Sequence, residues 1–270
     1  MGQETQQIDS LLKKISIITI NYNNAAGLEK TVKSVITQNS SDFEFIIVDG
    51  GSNDGSLDLI KKYASKITQY VSEKDKGIYH AQNKGILMSS GEYCLFLNSG
   101  DLLAGKEVLE SVVAELNGAD IVYGDIVTID VKGTRTHLKS PAKIGVSEMM
   151  ISTLWHPSAF IKRQLFDTFG LYNEDFKVTG DYEFFIRTIL KNNVAVKHVP
   201  LAIAVFDLTG VSNTAEFAAL QTKERKKSWA LNFGEPVIEA FENKTRLLRS
   251  REYKLGKLFM KFTKPFLRKK

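Results

Sequence analysis

The stretch that decides the fold is Ile15-Ser16-Ile17-Ile18-Thr19-Ile20-Asn21-Tyr22-Asn23-Asn24, in which a mostly β-branched run ends in a polar cluster. After it, apolar residues recur at helical spacing, at Leu28, Val32, Val35 and Ile36. A β-branched run bounded by polar residues is typical of a strand, and this spacing is typical of a helix. The stretch therefore predicts the strand, loop and helix that open an α/β fold.

The same order of strand, loop and helix recurs toward the middle of the chain. Strands are predicted over residues 43–48, 67–72 and 93–97, and helices over 57–63 and 78–88. Strands that alternate with helices imply right-handed crossovers and a mainly parallel sheet flanked by helices.

The pattern changes after residue 119, where we expect the parallel winding to stop. A strand is predicted over residues 120–125 and a strand pair around Lys132-Gly133 over residues 126–140. Helices are predicted over 162–169 and 182–190, and a strand interrupted by Pro200 over 194–206. No internal repeat or low-complexity linker is found in the sequence. We therefore expect one domain over residues 14–230 and a basic helical extension over residues 231–270.

Composition restricts the class of protein. With 270 residues, 43% of them hydrophobic, the chain can bury a large core. It has no run of about 18 apolar residues and no signal-peptide pattern at its start, so we expect it to stay in the cytoplasm. Cys94 is the only cysteine, which excludes an intrachain disulfide, and we expect it to pack in the core.

The end of the chain is strongly basic. Residues 244–270 contain eleven Lys or Arg and one acid, Glu252, a net charge of +10 against about −5 for the remainder. Leucine and phenylalanine are interleaved with these charges, which is typical of a helix that lies on an anionic membrane surface. A solvated basic terminus is the alternative, and no nucleic-acid-binding signature accompanies the charge. We expect a peripheral protein on the inner face of the cell membrane that binds no nucleic acid.

Several nucleotide-binding motifs are absent. The first strand is not followed by Gly-x-Gly-x-x-Gly, which disfavours a nicotinamide or flavin enzyme, and no P-loop motif occurs. Residues 49–54 superficially resemble a calcium loop, but Gly51 occupies a ligand position and Ile60 stands where the bidentate Glu belongs. That interpretation is rejected.

Three side chains follow predicted neighbouring strands: Tyr22, Asp49 and Asp101. The carboxyl ends of such strands border the ligand crevice of an α/β sheet, so we expect the three to converge. An aromatic ring can stack on a base, one carboxylate can accept from a base N–H, and another can hold a metal on a diphosphate. The structural alternatives are that Tyr22 is a half-buried loop aromatic, Asp49 forms a turn and Asp101 caps a helix.

Four segments together resemble the successive motifs of family 2 glycosyltransferases with the GT-A fold, a Rossmann-like nucleotide-diphospho-sugar transferase fold. The resemblance covers residues 14–230 and is closest to bacterial members that build surface polysaccharides, including those of colanic acid type. The segments are Ile15-Ser16-Ile17-Ile18-Thr19-Ile20-Asn21-Tyr22-Asn23, Ile47-Val48-Asp49-Gly50-Gly51-Ser52-Asn53-Asp54-Gly55, Asp75-Lys76-Gly77-Ile78-Tyr79 with Asn83-Lys84-Gly85, and Phe96-Leu97-Asn98-Ser99-Gly100-Asp101.

The resemblance implies that a sugar moves from a nucleotide-sugar donor to a hydroxyl of a glycan or lipid-linked glycan acceptor. It implies that Asn21, Tyr22 and Asp49 bind the nucleotide, with Lys76 as a nearby positive charge or a merely solvated lysine. It further implies that Asp101 holds Mg²⁺ or Mn²⁺ on the diphosphate. The cation would stabilise the charge that grows on the leaving group.

An inverting transfer also needs a general base at the acceptor hydroxyl. The resemblance implies that Asp181 is this base, at the start of a predicted helix; an N-cap role for Asp181, or Glu183 or Asp175 as the base, are the alternatives. His156 resembles a recurrent family position near the diphosphate or acceptor, although a lone histidine is more often structural.

The chain departs from the common family pattern. Asn98 and Gly100 stand where acids are common, leaving Asp101 as the only obvious metal ligand, and Gly50 replaces a frequent second Asp. We expect weak metal affinity without the nucleotide, because Mg²⁺ relies on substrate phosphates and water as well.

The leading hypothesis is an inverting, metal-dependent glycosyltransferase that uses a UDP-sugar in cell-surface polysaccharide biosynthesis. A sugar-1-phosphate nucleotidyltransferase would be expected to carry a Gly-rich phosphate loop after the first strand, and none is present. The reduced acidic cluster motivates a third hypothesis, a non-catalytic nucleotide-sugar-binding protein at the membrane.

Overall fold

The structure is a computed structural model that describes residues 13–130, 132–207 and 215–234, together with Glu239 and Asn243. Nearly all of the predicted basic extension, including the predicted membrane helix in residues 244–270, lies outside the described residues. None of the described helices is both long and apolar enough to cross a bilayer.

The first part of the chain alternates strands and helices as predicted. The strands β1 to β5 and the helices α1 to α3 span Ile15–Asn21 (β1), Ala25–Ile36 (α1), Phe43–Asp49 (β2), Ser56–Lys62 (α2), Gln69–Ser72 (β3), Ile78–Met88 (α3), Tyr93–Phe96 (β4) and Leu102–Leu103 (β5). Strands β3, β2, β1 and β4 lie side by side in that order and are parallel.

The second part mixes strand directions. Its elements are Val108–Val113 (α4), Ile121–Ile129 (β6), Arg135–Leu138 (β7), Val146–Ile151 (α5), Ala159–Lys162 (β8), Gln164–Phe169 (α6), Gly180–Phe185 (α7), Val196–Asp207 (β9) and Ala215–Phe233 (α8). Strand β8 joins β4 to β6 and is antiparallel to both, whereas β9 is parallel to β6. The result is a mixed sheet flanked by helices, and the α/β prediction is confirmed.

Several predicted boundaries move. Residues 159–162 form strand β8, so the helix predicted over 162–169 begins only at Gln164. The helix predicted over 182–190 is α7 followed by a π-helical turn, Ile186–Lys191.

Strand β9 continues through Pro200, where an interruption was predicted. Its pairing with β6 slips at this point, since His198 lies opposite Tyr123 and Ala202 opposite Asp125. Proline has no N–H to donate to a neighbouring strand. The irregular register accommodates Pro200, and the strand continues past it.

The sheet is buried on both faces, because helices cover each side. On β1, Ile15 and Ile17 belong to one hydrophobic cluster and Ile18 to the other. Side chains of a strand alternate between faces, so a strand covered on both sides is apolar almost throughout. Cys94 packs in the core as predicted, and burial raises the pKa of its thiol to about 12.

Candidate active site

A cavity of about 770 Å³ opens at the carboxyl edge of the parallel strands. Its wall is formed by the loop after β1, one face of α1, the start of α3, and the turn after β4. Its polar and aromatic lining residues include Asn21, Tyr22, Lys30, Asp75, Asn98 and Asp101. Two of the three strand ends singled out from the sequence, those of β1 and β4, therefore meet at one cavity.

Tyr22 is the exposed aromatic ring of this cavity. Its side chain is 67% exposed, although it follows a buried strand directly. The neighbouring Asn23 has a positive φ of 47°, and its backbone N–H donates to Ser52 Oγ at 2.8 Å. The loop is thus held from the protein side, which leaves the Tyr22 ring free to stack on a flat ligand.

Asp49 lies behind the cavity wall and is fully buried. Its Oδ1 accepts from Asn21 Nδ2 at 2.8 Å and from Ser52 Oγ at 2.5 Å, and its Oδ2 accepts from Ser72 Oγ at 2.6 Å. Burial disfavours its charge, but the hydrogen bonds from Ser52, Ser72 and Asn21 outweigh it and hold the pKa below 3.8. Asp49, predicted to contact the nucleotide, is instead the buried acceptor that fixes Asn21.

Lys76, which was predicted to place a positive charge near the nucleotide, is exposed and is not among the lining residues. The cavity has a different lysine, Lys30, which the sequence analysis missed. Lys30 lies three and four positions after Gly27 and Ala26, so all three share the face of α1 that lines the cavity. That spacing is the signal by which Lys30 could have been found.

Asp101 is 8% exposed and lies on the cavity wall. Its Oδ2 accepts from the backbone N–H of Asn98 at 3.2 Å, which closes the turn from residue 98 to residue 101. Thr31 on α1 anchors this turn, since its hydroxyl donates to the Asp101 carbonyl at 2.8 Å. Helix α4 begins later, at Val108 with Glu107 as its N-cap, so Asp101 is not the cap of that helix.

The turn offers oxygen donors for a cation. Among the described residues, no three His, Cys, Asp or Glu side chains meet in a way that could hold a metal ion unaided. The Asp101 carboxylate and the Asn98 amide are nevertheless both on the cavity wall, and Mg²⁺ or Mn²⁺ favours such oxygen ligands. One carboxylate suits a cation that is also held by substrate phosphates and water, as the sequence predicts.

Asp181 lies in the first turn of α7, where Tyr79 of α3 reaches it. The Tyr79 hydroxyl donates to Asp181 Oδ1 at 2.9 Å. Burial, reinforced by the charge of Asp181, raises the pKa of Tyr79 well above its usual value, so the hydroxyl remains a donor. Because Gly77 and Ile78 line the cavity, the first turn of α3 connects the cavity wall to Asp181.

The two alternatives to Asp181 occupy different surroundings. Glu183 is 4% exposed, pairs with Arg187 at 3.2 Å, and accepts from Asn232 Nδ2 at 3.1 Å. Asp175 is exposed on the preceding loop. Asp181 is the one of the three that contacts a side chain at the start of α3.

His156 is 9% exposed and packs inside an aromatic cluster. Its ring stacks on Phe96 with 4.7 Å between centroids, and its Nε2 lies 2.8 Å from the Tyr172 hydroxyl. Burial lowers the pKa of His156 below 6.5, although the charge of Asp181 opposes this shift. The imidazole is thus neutral at pH 7, and it is not among the residues that line the cavity.

Helix α8 secures the loop that leads to Asp181. The buried Glu224 carboxylate accepts from the backbone N–H groups of Lys177 at 2.7 Å and of Val178 and Thr179 at 3.0 Å. Trp229 on the same helix donates to the Tyr182 hydroxyl at 2.8 Å. Glu224 was not predicted as a site residue, because nothing local marks an acid that caps a loop 45 residues away.

The sheet is buried on both faces, and an aromatic ring, oxygen ligands and a lysine lie together at its carboxyl edge. This architecture is typical of an α/β nucleotide-dependent transferase. The sequence profile described as Glycosyl transferase family 2 matches residues 16–191. The chain belongs to this family, and the predicted enzyme class, a glycosyltransferase, is confirmed.

Named relatives agree with this assignment. The chain is 30% identical over 207 residues to a "PGL/p-HBAD biosynthesis glycosyltransferase" of Mycobacterium bovis, which covers 74% of this chain and 79% of the relative. It is 37% identical over 120 residues to the poly(ribitol-phosphate) beta-N-acetylglucosaminyltransferase TarP of Staphylococcus aureus, which covers 42% of this chain and 36% of TarP.

Solved structures confirm the GT-A fold. Residues 1–349 of S. aureus TarS in complex with UDP superpose with a TM-score of 0.65 at 19% identity, over 88% of this chain and 72% of that chain. A mannosyltransferase from Pyrobaculum calidifontis in complex with GDP-Man and Mn²⁺ gives a TM-score of 0.58 at 13% identity, over 91% of this chain and 83% of that chain.

Proposed function

We propose that this glycosyltransferase is an inverting, metal-dependent enzyme that moves a sugar from a UDP-sugar to a hydroxyl of a lipid-linked glycan. The observation that carries the proposal is the placement of Tyr22 and Asp101 on one cavity, with Asp181 joined to the same wall through Tyr79. A base site, a diphosphate site and a proton acceptor are the three parts that such a transfer requires.

The residues divide the chemistry between them. Tyr22 stacks on the base, and Asn21 and Lys30 border the nucleotide on the same wall. Asp181 accepts the proton of the acceptor hydroxyl while that oxygen bonds to the anomeric carbon and the nucleoside diphosphate leaves from the opposite face. Asp101 and Asn98 would hold a divalent cation, which would supply positive charge for the departing diphosphate. His156 supports the site from the core: it contacts Tyr172, whose ring centroid lies 5.7 Å from that of Tyr79, the partner of Asp181.

The donor and acceptor classes are supported by the relatives. TarS was solved with UDP and with UDP-GlcNAc, and TarP is named for transfer to poly(ribitol-phosphate). These names favour a UDP-sugar as donor and a hydroxyl of a polyol or glycan polymer as acceptor. The basic residues 244–270 would hold the enzyme at an anionic membrane where lipid-linked acceptors lie.

Thermal unfolding and product analysis test the proposal together. The full chain is screened with UDP-, GDP-, dTDP- and CMP-sugars and Mn²⁺, because a ligand that binds only the native state raises the melting temperature. We expect a UDP-sugar with Mn²⁺ to give the largest rise, and Asp101→Asn to remove the contribution of Mn²⁺. No rise with any nucleotide sugar would refute the donor site, and release of pyrophosphate from UTP and a sugar phosphate would favour the nucleotidyltransferase.

The membrane contact has a separate test in the full chain. Substitution of Lys257, Lys261 and Lys264 by Glu should reduce co-sedimentation with vesicles that contain anionic lipid and leave transfer to a soluble acceptor unchanged. Equal co-sedimentation of the variant and the parent protein would contradict the proposed role of the tail.

A further inference from the structure

We infer that Asp75 is the carboxylate that recognises the nucleotide base, and that Gly50 is required to make room for it. The inference rests on the proposed function, because it assigns the base contact within the proposed donor site. It concerns two residues that lie in different loops, one after β2 and one before α3.

Asp49 has no capacity left for this role. It is fully buried, and both of its oxygens already accept short hydrogen bonds from Asn21, Ser52 and Ser72. A base could reach Asp49 only by displacing those donors. A carboxylate that recognises the base would therefore have to come from another position on the cavity wall.

Asp75 is on that wall, and its carboxylate occupies the space beside Gly50. A Cβ atom added to Gly50 would lie 2.5 Å from Asp75 Oδ2, closer than non-bonded atoms can approach. The same Cβ would lie 3.2 Å from Tyr22 Cδ2. The absence of a side chain at Gly50 thus lets the Asp75 carboxylate lie next to the Tyr22 ring.

The Asp75 carboxylate is held in place but keeps one oxygen available. Its Oδ1 accepts from the backbone N–H of Gly77 at 2.9 Å. Within the described part of the chain, no hydrogen bond ends on Asp75 Oδ2. This oxygen is therefore the one available to a ligand, and the Gly77 contact fixes its direction.

A ring and an adjacent carboxylate oxygen select a particular class of base. A base that stacks on Tyr22 presents its edge sideways, where the carboxylate can accept one N–H. Uracil has such an N–H at N3, whereas cytosine has a ring acceptor at that position. A charged acceptor makes this hydrogen bond stronger than a neutral one and strongly disfavours an acceptor that faces it. The pair therefore selects nucleoside diphosphates with an N–H on the pairing edge, of which UDP is the proposed ligand.

Calorimetric binding of UDP and of N3-methyl-UDP to the full chain tests the assignment. We expect the methylated nucleotide to bind the parent protein about 10-fold or more weakly, as for loss of a charge-assisted hydrogen bond. Asp75→Ala should abolish this difference. Gly50→Ala should weaken UDP in the same way, because its methyl group displaces a carboxylate that is still present. Glu73→Gln, an exposed acid in the same loop, is the matched control and should behave as the parent protein.

A rescue variant separates recognition from loop damage. In the Asp75→Ala background, Gly50→Asp supplies a carboxylate to the same space from the opposite loop, and it should restore the preference for UDP over N3-methyl-UDP. Equal binding of the two nucleotides by the parent protein would overturn the inference, as would an undiminished preference in Asp75→Ala. If no nucleoside diphosphate binds, the donor site of the proposed function fails instead, so the two failures are distinguishable.

Discussion

The two halves of the molecule build their site residues in different ways. In the N-terminal half, residues 15–103, the cavity residues follow parallel strands, and their supporting hydrogen bonds come from neighbouring strand ends. In the C-terminal half, residues 121–233, Asp181 depends on Tyr79 from the other half and on a loop that Glu224 caps from α8. Donor-side geometry is thus set by the sheet itself, whereas the position of Asp181 is set by packing between distant segments.

The largest expected effect is that of Asp181→Asn. If Asp181 is the general base, this change should lower kcat by about 10²–10⁴-fold, the usual contribution of general base catalysis, with little change in binding of the donor. Transfer rates and calorimetric binding of UDP measure the two quantities separately. Asp175→Asn removes the exposed alternative base six residues earlier and should keep the parental kcat. A variant Asp181→Asn that keeps parental kcat would leave Glu183 and Asp175 as the candidate bases.

Such a result would also test how far sequence reasoning extends. The elements of the N-terminal half were predictable because each strand and helix is marked by its own local pattern, and Tyr22 and Asp101 are placed by strand ends. Asp181 was located only through the resemblance to a family, since an acid at a helix start is also a common cap. Asp49 was predicted to contact the nucleotide, whereas in the structure it is a buried hydrogen-bond acceptor. The sequence does not distinguish a buried carboxylate at a strand end from one on the cavity wall. Glu224 was invisible, since its partners are backbone N–H groups that any sequence supplies.

A smaller effect is expected for Glu224→Gln, which tests whether α8 positions the C-terminal half of the site. The amide keeps the shape of the side chain but directs an NH₂ group or a weaker acceptor at three backbone donors. Leaving such buried donors poorly paired costs about 1–3 kcal/mol of the free energy of unfolding, and urea titration measures it. We also expect kcat to fall while UDP affinity stays constant, because Asp181 moves and the cavity does not.

Lys223→Gln is the control for this change, since Lys223 is the exposed neighbour on the same helix. A loss of UDP affinity in Glu224→Gln equal to the loss of kcat would contradict the independence of the two halves. A parental kcat together with lowered stability would show that the loop before Asp181 tolerates the loss of its cap.

Tyr79→Phe should have a still smaller effect, because it removes a single hydroxyl and keeps the ring that packs against Gly180. A hydrogen bond to a carboxylate corresponds to about 1.5 kcal/mol at the lower end of its range, so we expect kcat to fall about 10-fold. The KM for the donor should not change, and steady-state kinetics separates the two parameters. Tyr70→Phe at an exposed position is the control. An increase in KM without a change in kcat would mean that Tyr79 serves the cavity wall and not Asp181.

The smallest expected effect is on the free energy of unfolding at low pH, to which Asp49 in the N-terminal half should contribute. The folded pKa of this carboxyl lies below 3.8, because hydrogen bonds from Ser52, Ser72 and Asn21 outweigh its burial. Its stabilising contribution is therefore complete above about pH 4 and is lost as pH falls through the depressed value, by about 1.4 kcal/mol per unit of depression. Urea titrations between pH 6 and pH 2 should show a flatter pH dependence for Asp49→Asn than for the parent protein, with exposed Asp58→Asn as the control. Because the partners of Asp49 are uncharged, an unaltered slope in Asp49→Asn would mean that these hydrogen bonds persist with a protonated carboxyl, and that support of Asn21 does not depend on the charge of Asp49.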